Sequence, residues 1–201
     1  MNTAKVTVRP DIRGAAVSPS MYGIFYEDIN HAGDGGLYAE LVRNRSFMDA
    51  QVPKGTWYYG GQIRTLQRWT HAFSIEDPLP GWSAETTGEA LADIRPCIET
   101  PRNLQVPNQL RLTALHTEQG LASVVNSGFW GMAVEPGLYI LKVIARSSSI
   151  PELRAELIDS SNQVLCETRI LNIESDWTNC QATLSVSETA SGCKLRLSAL
   201  N

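Results

Sequence analysis

The sequence predicts a mainly β chain: an antiparallel β-sandwich of jelly-roll type, preceded by a single β-loop-α unit. Three observations predict it. From Pro80-Gly81-Trp82 onward, short segments alternate apolar and polar residues, the pattern of antiparallel strands wetted on one face. Upstream, Met21 to Tyr26 is an apolar, aromatic run without polar alternation, as in a strand buried on both faces. No sustained helical period follows residue 60.

In chain order, residues 3–9 (TAKVTVR) alternate like a short strand closed by Pro10, and 11–19 read as a connector. The strand from Met21 ends at Glu27 and Asp28, then a loop carries Asn30, His31, Gly33, Asp34, Gly35 and Gly36. A helix is expected from about Leu37, with Leu41 on the same face and Tyr38 and Val42 beside them. Asp34 stands where an N-cap would, and Arg43 and Arg45 suit the helix C-terminus. An acid at the C-terminal end of a strand lies where barrels and open parallel sheets bind ligands. Side chains alternate along a strand, so Glu27 and Asp28 diverge and cannot flank one bond as a catalytic pair.

The segment YGIFYEDINHAGDGGLYAELVRNRSF closely resembles the start of the catalytic domain of family-51 α-L-arabinofuranosidases. The resemblance implies the first strand, loop and helix of a (β/α)8 barrel in a retaining glycoside hydrolase that removes terminal arabinofuranosyl residues. It also implies that Glu27 hydrogen-bonds hydroxyls of the bound arabinose, with Asn30 and His31 lining the same loop. The strand at 3–9 would then belong to a sandwich built mostly from the far C-terminus of such enzymes. Both catalytic glutamates of the family sit on later barrel strands, and neither motif occurs within this chain. No catalytic residue is therefore assigned, and the chain alone is expected to be inactive.

After Phe47 the stretch to Trp69 shows no sustained period and carries Pro53, Gly55, Gly60 and Gly61, which reads as linker. A boundary near residue 56 divides a 1–56 barrel unit from a 57–201 sandwich. Clear alternation covers 110–114, 152–157, 180–186 and 193–199, and Leu138 to Arg146 is a longer, more buried strand after the Pro136-Gly137 turn. The segments GFWGMAVEPGLYILKVIARSS and SDWTNCQATLSV resemble the carbohydrate-binding-module-like jelly roll inserted early in many of these arabinofuranosidases. By that resemblance the sandwich lacks its closing strand, and the strand ending at Leu200 is expected to present an unpaired edge.

Composition excludes other classes. With 43% hydrophobic residues, 19% charged residues and net charge −4, the 201-residue chain suits one or two globular domains. Mild acidity without a Lys/Arg cluster argues against nucleic acid and anionic membranes. No apolar run reaches a membrane span, and MNTAKVTVRP lacks a signal-peptide core. Read from Met1, the chain is cytoplasmic; a trimmed leader would make it periplasmic or extracellular. Cys97, Cys166, Cys180 and Cys193 form no C-x-x-C, so zinc spacing is absent, and they read as buried free thiols rather than as a disulfide. No metal or cofactor is expected. Gly33-x-Gly35-Gly36 is not a dinucleotide fingerprint, because Tyr38 stands where the third glycine would be. Trp130 and Trp177 are expected to pack in the core, whereas Trp57 and Trp69 in the linker are the better candidates for sugar stacking. Asn44-Arg45-Ser46 fits a glycosylation sequon. The expected partner is an arabinose-containing oligo- or polysaccharide, and a homo-oligomeric whole enzyme stays open. The competing readings are a sugar-binding module and a structural brace.

Overall fold

A computed structural model of the chain describes residues 3–21, 23, 32–52, 55–60, 62–68, 70–72 and 77–200. Its strands are β1 (Trp57–Tyr59), β2 (Gln62–Arg64), β3 (Thr70–Ala72), β4 (Trp82–Thr86), β5 (Leu91–Cys97), β6 (Gln109–Leu115), β7 (Ala122–Asn126) and β8 (Met132–Val134), followed by β9 (Gly137–Ala145), β10 (Glu152–Ile158), β11 (Val164–Ile170), β12 (Thr178–Val186) and β13 (Ala190–Leu200). Every pairing between these strands is antiparallel.

The strands form two layers around one core. One layer is a six-stranded sheet in the order β11-β10-β13-β7-β4, with β8 also on β13. Facing it are two pairs, β5–β6 and β9–β12. Period two explains the packing directly. Cys193, Leu195, Leu197 and Ala199 of β13 and Cys180, Ala182, Leu184 and Val186 of β12 are all buried. They join Val124, Met132, Val134, Ala155, Leu157 and Ile170, while Ile94, Leu110, Leu112, Leu141 and Val143 close over the same cluster. Each fully buried aliphatic side chain contributes roughly 1.5–3 kcal/mol, so these faces hold the two layers together.

Six expectations need correcting. The strand from Leu138 is long but not the more buried one: no residue of β9 is buried, and Leu138 and Ile140 are 74% and 62% exposed, because its outer face carries no further layer among the described residues. The polar phase of β10 is not wetted throughout: Glu156 is only 2% exposed, because the sheet is widest there and arginines from β10 and β13 lie across it. Nor is β13 an edge, since it pairs with β10, β7 and β8 and Leu200 is opposite Glu152. The stretch read as linker contains the small β1-β2-β3 sheet. Its strands are three residues long, too short for a period to register, although Gly60-Gly61 between Tyr59 and Gln62 is a hairpin signal.

The helix expected from Leu37 is absent. Residues 33–38 make a tight turn, with Leu37 N–H donating to Ala32 O and Tyr38 N–H to Gly33 O, both at 2.9 Å. Short helices are marginal without tertiary packing, and here Leu41 and Val42 pack on the sandwich core instead. Asn44 and Phe47 then take left-handed backbone angles (φ 53° and 57°) that no helix accommodates. Finally, residues 3–9 pair with no strand among the described residues, and Val6 and Val8 are 85% and 80% exposed. An alternating segment becomes a strand only when a ladder partner takes up its N–H and C=O groups. Of the strand expected over Met21 to Tyr26, all but Met21 and Gly23 lies outside the described residues, and Met21 belongs to a 3-10 turn (Pro19–Met21).

Candidate functional site

Glu27, Asn30 and His31 lie outside the described residues, so their geometry is not part of the picture that follows. The described chain resumes at Ala32 and runs into the 33–38 turn. That turn is closed by Gly35 N–H donating to Tyr38 O at 3.1 Å. Asp34 does not cap a helix. Its carboxylate accepts from Arg45 Nη2 at 3.2 Å and Nε at 3.3 Å, a two-pronged pair with Glu40 3.8 Å from the same guanidinium. The Asp34 hydrogen bond raises the Arg45 pKa further, so this charge persists at any working pH. The Tyr38 ring lies 5.5 Å from the same guanidinium carbon.

Residues 43–51 dock this loop region onto the sandwich through a continuous set of hydrogen bonds. Asn126, fully buried at the end of β7, is its centre. Its Oδ1 accepts from Arg43 N–H at 3.1 Å and Gly128 N–H at 3.0 Å, and its Nδ2 donates to Arg43 O at 2.9 Å. Asn44 donates from Nδ2 to Pro80 O and accepts from Asp49 N–H at Oδ1, both at 3.1 Å. Trp82 Nε1 donates to Asn44 O at 3.1 Å, and its ring centroid lies 5.5 Å from that of Phe47. Asn108 Nδ2 donates to Phe47 O at 2.7 Å. The sequon at Asn44 is thus an internal hydrogen-bonding residue, 5% exposed, with no room for a glycan in the folded chain.

The next turn, 127–131, approaches the loop from the sandwich side. Gly35 has φ +90°, and a Cβ added there would overlap the Phe129 ring, so the aromatic face rests directly on the loop backbone. Trp130 beside it is 75% exposed, which corrects the expectation that it packs in the core. The turn uses the indole's neighbour Phe129 for packing and leaves the indole outward. Trp177 is half-buried. Its indole N–H donates to Thr100 O at 3.0 Å, and Arg146 lies over its ring at 5.1 Å. Trp57 is 45% exposed on β1, and Trp69 lies outside the described residues. An open groove beside the junction is lined by Ala39, Leu41, Val134, Tyr139 and Ala190 with Glu135 at its edge.

Sequence reasoning missed Asn126. The available signal was slight: Asn126 directly follows Val124-Val125, and a side-chain amide carried inward with them must find partners. Among the described residues no cluster of three or more His, Cys, Asp or Glu could hold a metal ion, and no helix is long and apolar enough to cross a membrane.

Comparison with known proteins agrees across nearly the whole chain. An extracellular exo-α-L-arabinofuranosidase of Streptomyces chartreusis is 33% identical over 201 residues, covering 96% of this chain and 20% of that protein. α-L-Arabinofuranosidase 2 of Arabidopsis thaliana is 29% identical, covering 98% of this chain and 26% of its own length. Among solved structures, an arabinose-bound family-51 α-L-arabinofuranosidase matches with a TM-score of 0.62 and 26% identity, over 89% of this chain and 26% of that one. The chain therefore spans about a fifth to a quarter of the length of the relatives it matches. No protein-family model matches it.

Proposed function

We propose that this chain belongs to the family-51 α-L-arabinofuranosidases, of which it spans a part, and that it supplies the N-terminal region of an enzyme that removes terminal non-reducing α-L-arabinofuranosyl residues from arabinoxylan, arabinan or related arabinosides. The observation that carries this reading is a match covering 96% of the chain to an enzyme named for that activity. The arabinose-bound neighbour covering 89% of the chain supports it independently from the fold.

In this reading residues 1–56 provide the opening barrel unit and 57–201 the accessory sandwich. A retaining glycosidase needs two carboxylates about 5–5.5 Å apart, one protonating the leaving oxygen and one forming the glycosyl-enzyme. This chain contributes neither. Glu27, at the C-terminal end of the expected first strand, has a different task. An ionised carboxylate accepts hydrogen bonds from two sugar hydroxyls at once and so fixes the furanose relative to the reacting carboxylates. The docked 43–51 segment supports the same division of labour, since it anchors the loop following Glu27 to a rigid β-layer.

Hydrolysis of an aryl α-L-arabinofuranoside tests the proposal. The full-length enzyme containing this chain should turn the substrate over, and the 201 residues alone should not. Glu27→Ala in the full-length enzyme should lower kcat/KM by about 10²–10³-fold, the worth of one or two charge-assisted hydrogen bonds. Turnover by the isolated chain, or an unaffected Glu27→Ala enzyme, would overturn the assignment.

A further inference from the structure

Trp130 is the most exposed tryptophan among the described residues, and it is held outward by a turn that cannot easily move. Gly128 N–H is bound by the Asn126 side chain at 3.0 Å, and Gly131 N–H donates to Ser127 O at 3.0 Å. At Gly131 (φ +84°) a Cβ would stand 2.6 Å from Gly192 Cα, so this turn lies backbone to backbone against β13. Phe129 braces the remaining side by resting on Gly35. Presenting a large apolar ring to water from a fixed support forgoes its burial energy. A backbone held in place also lowers the ordering cost when that ring binds something.

The location says what would be bound. Gly35 follows Glu27 by eight residues, a stretch that reaches at most about 28 Å even fully extended. Trp130, next to the Phe129 that rests on Gly35, therefore adjoins the turn that follows Glu27 in the chain. Neutral glycans offer little charge to recognise. Their C–H faces pack on indole rings, and a single rigid aromatic suits them better than a cationic patch does. The adjoining turn adds Tyr38, which is 61% exposed and stiffened by the Arg45–Asp34 pair.

We propose that Trp130 is a substrate-binding residue, stacking on a sugar of the glycan that bears the scissile arabinofuranosyl group, outside the pocket for arabinose itself. This inference rests on the reading of the chain as part of an arabinofuranosidase. On it, the sandwich extends the substrate site of the barrel as well as bracing it.

The test uses the full-length enzyme with Trp130→Ala and Trp130→Phe, assayed on an aryl arabinofuranoside and on an arabino-oligosaccharide, with Tm measured for each variant. Trp130→Ala should lower kcat/KM on the oligosaccharide by about tenfold, mostly through KM, corresponding to the loss of one aromatic stacking contact. Activity on the aryl substrate should stay within about twofold, and Trp130→Phe should restore most of the loss. Unchanged oligosaccharide kinetics would overturn the inference. Equal losses on both substrates with a lowered Tm would also overturn it, showing that Trp130 is covered by the rest of the barrel. If the unmutated enzyme hydrolyses neither substrate, the arabinofuranosidase reading itself fails, and the inference fails with it.

Discussion

Asn126 holds two parts of the molecule together with one side chain. Its amide serves the Arg43 backbone at both N–H and C=O and closes the 127–131 turn through Gly128, in a site with no exposed surface. Asn126→Ala would leave three backbone groups without partners, one buried and two part-buried, at about 1–3 kcal/mol for each group that water cannot reach. The expected net destabilisation is about 2–4 kcal/mol in urea unfolding, with no change in m. The buried thiols give a second residue-scale outcome. Burial pushes the Cys166, Cys180 and Cys193 pKa values up from the usual thiol range. At pH 8 these thiols should therefore react slowly with a disulfide reagent in the folded chain, and all four cysteines should react rapidly in denaturant. The sign for stability follows: the folded state holds these protons more tightly. Their contribution is fully present below the ordinary thiol pKa and is lost as pH rises through the folded values.

At the scale of elements, the six-stranded sheet places an acid where alternation alone puts a wetted face. Glu156 sits opposite Arg196 in the β10–β13 register, with Oε2 2.8 Å from the Arg196 Nε and Oε1 3.5 Å from the Arg154 Nε. The Glu156 bond raises the Arg196 pKa, so the guanidinium keeps its charge. Glu156→Ala should destabilise the sandwich by about 2–4 kcal/mol. That is somewhat less than for a wholly buried pair, because Arg196 keeps 15% of its side-chain surface in solvent. Thermal melts in low and high salt check the assignment: screening should weaken the loss only slightly, unlike that of an exposed pair such as Arg169–Glu152. The 33–38 turn offers a contrasting element. Gly35→Ala meets both a left-handed φ of +90° and the Phe129 ring, so it should release the turn from the sandwich. Faster amide exchange confined to residues 33–47 is the expected readout.

Across the whole molecule, several large apolar groups outside the two-layer core face water in this chain. Val6, Val8, Met21 and Leu37 are 77–85% exposed, and all lie within the N-terminal 56 residues. The outer face of β9 adds Leu138 and Ile140 at 74% and 62%. Surfaces of this kind drive association when nothing covers them. The isolated 201-residue chain should therefore self-associate at micromolar concentration and bind a hydrophobic dye. A monodisperse monomer without dye binding, by sedimentation, would contradict that.

By itself the sequence located β6, β9, β10, β12 and β13 and, in β6, β10, β12 and β13, the face that meets the core, but it did not single out β4, β5, β7, β8 and β11. The reason is local: a side-chain period of two is written residue by residue, and Cys193, Leu195, Leu197 and Ala199 point inward wherever β13 is placed. The family kinship was legible in the same direct way, from a long contiguous run around Glu27. Only the tertiary structure decided the neighbours. It placed β13 at the middle of its sheet, buried Glu156 on a nominally polar face, and drew Leu41 and Val42 out of a helix onto the core. It also gave Asn126 its partners and turned Trp130 outward. Each of these depends on what stands opposite a residue from a distant part of the chain, and a local period carries no information about that partner.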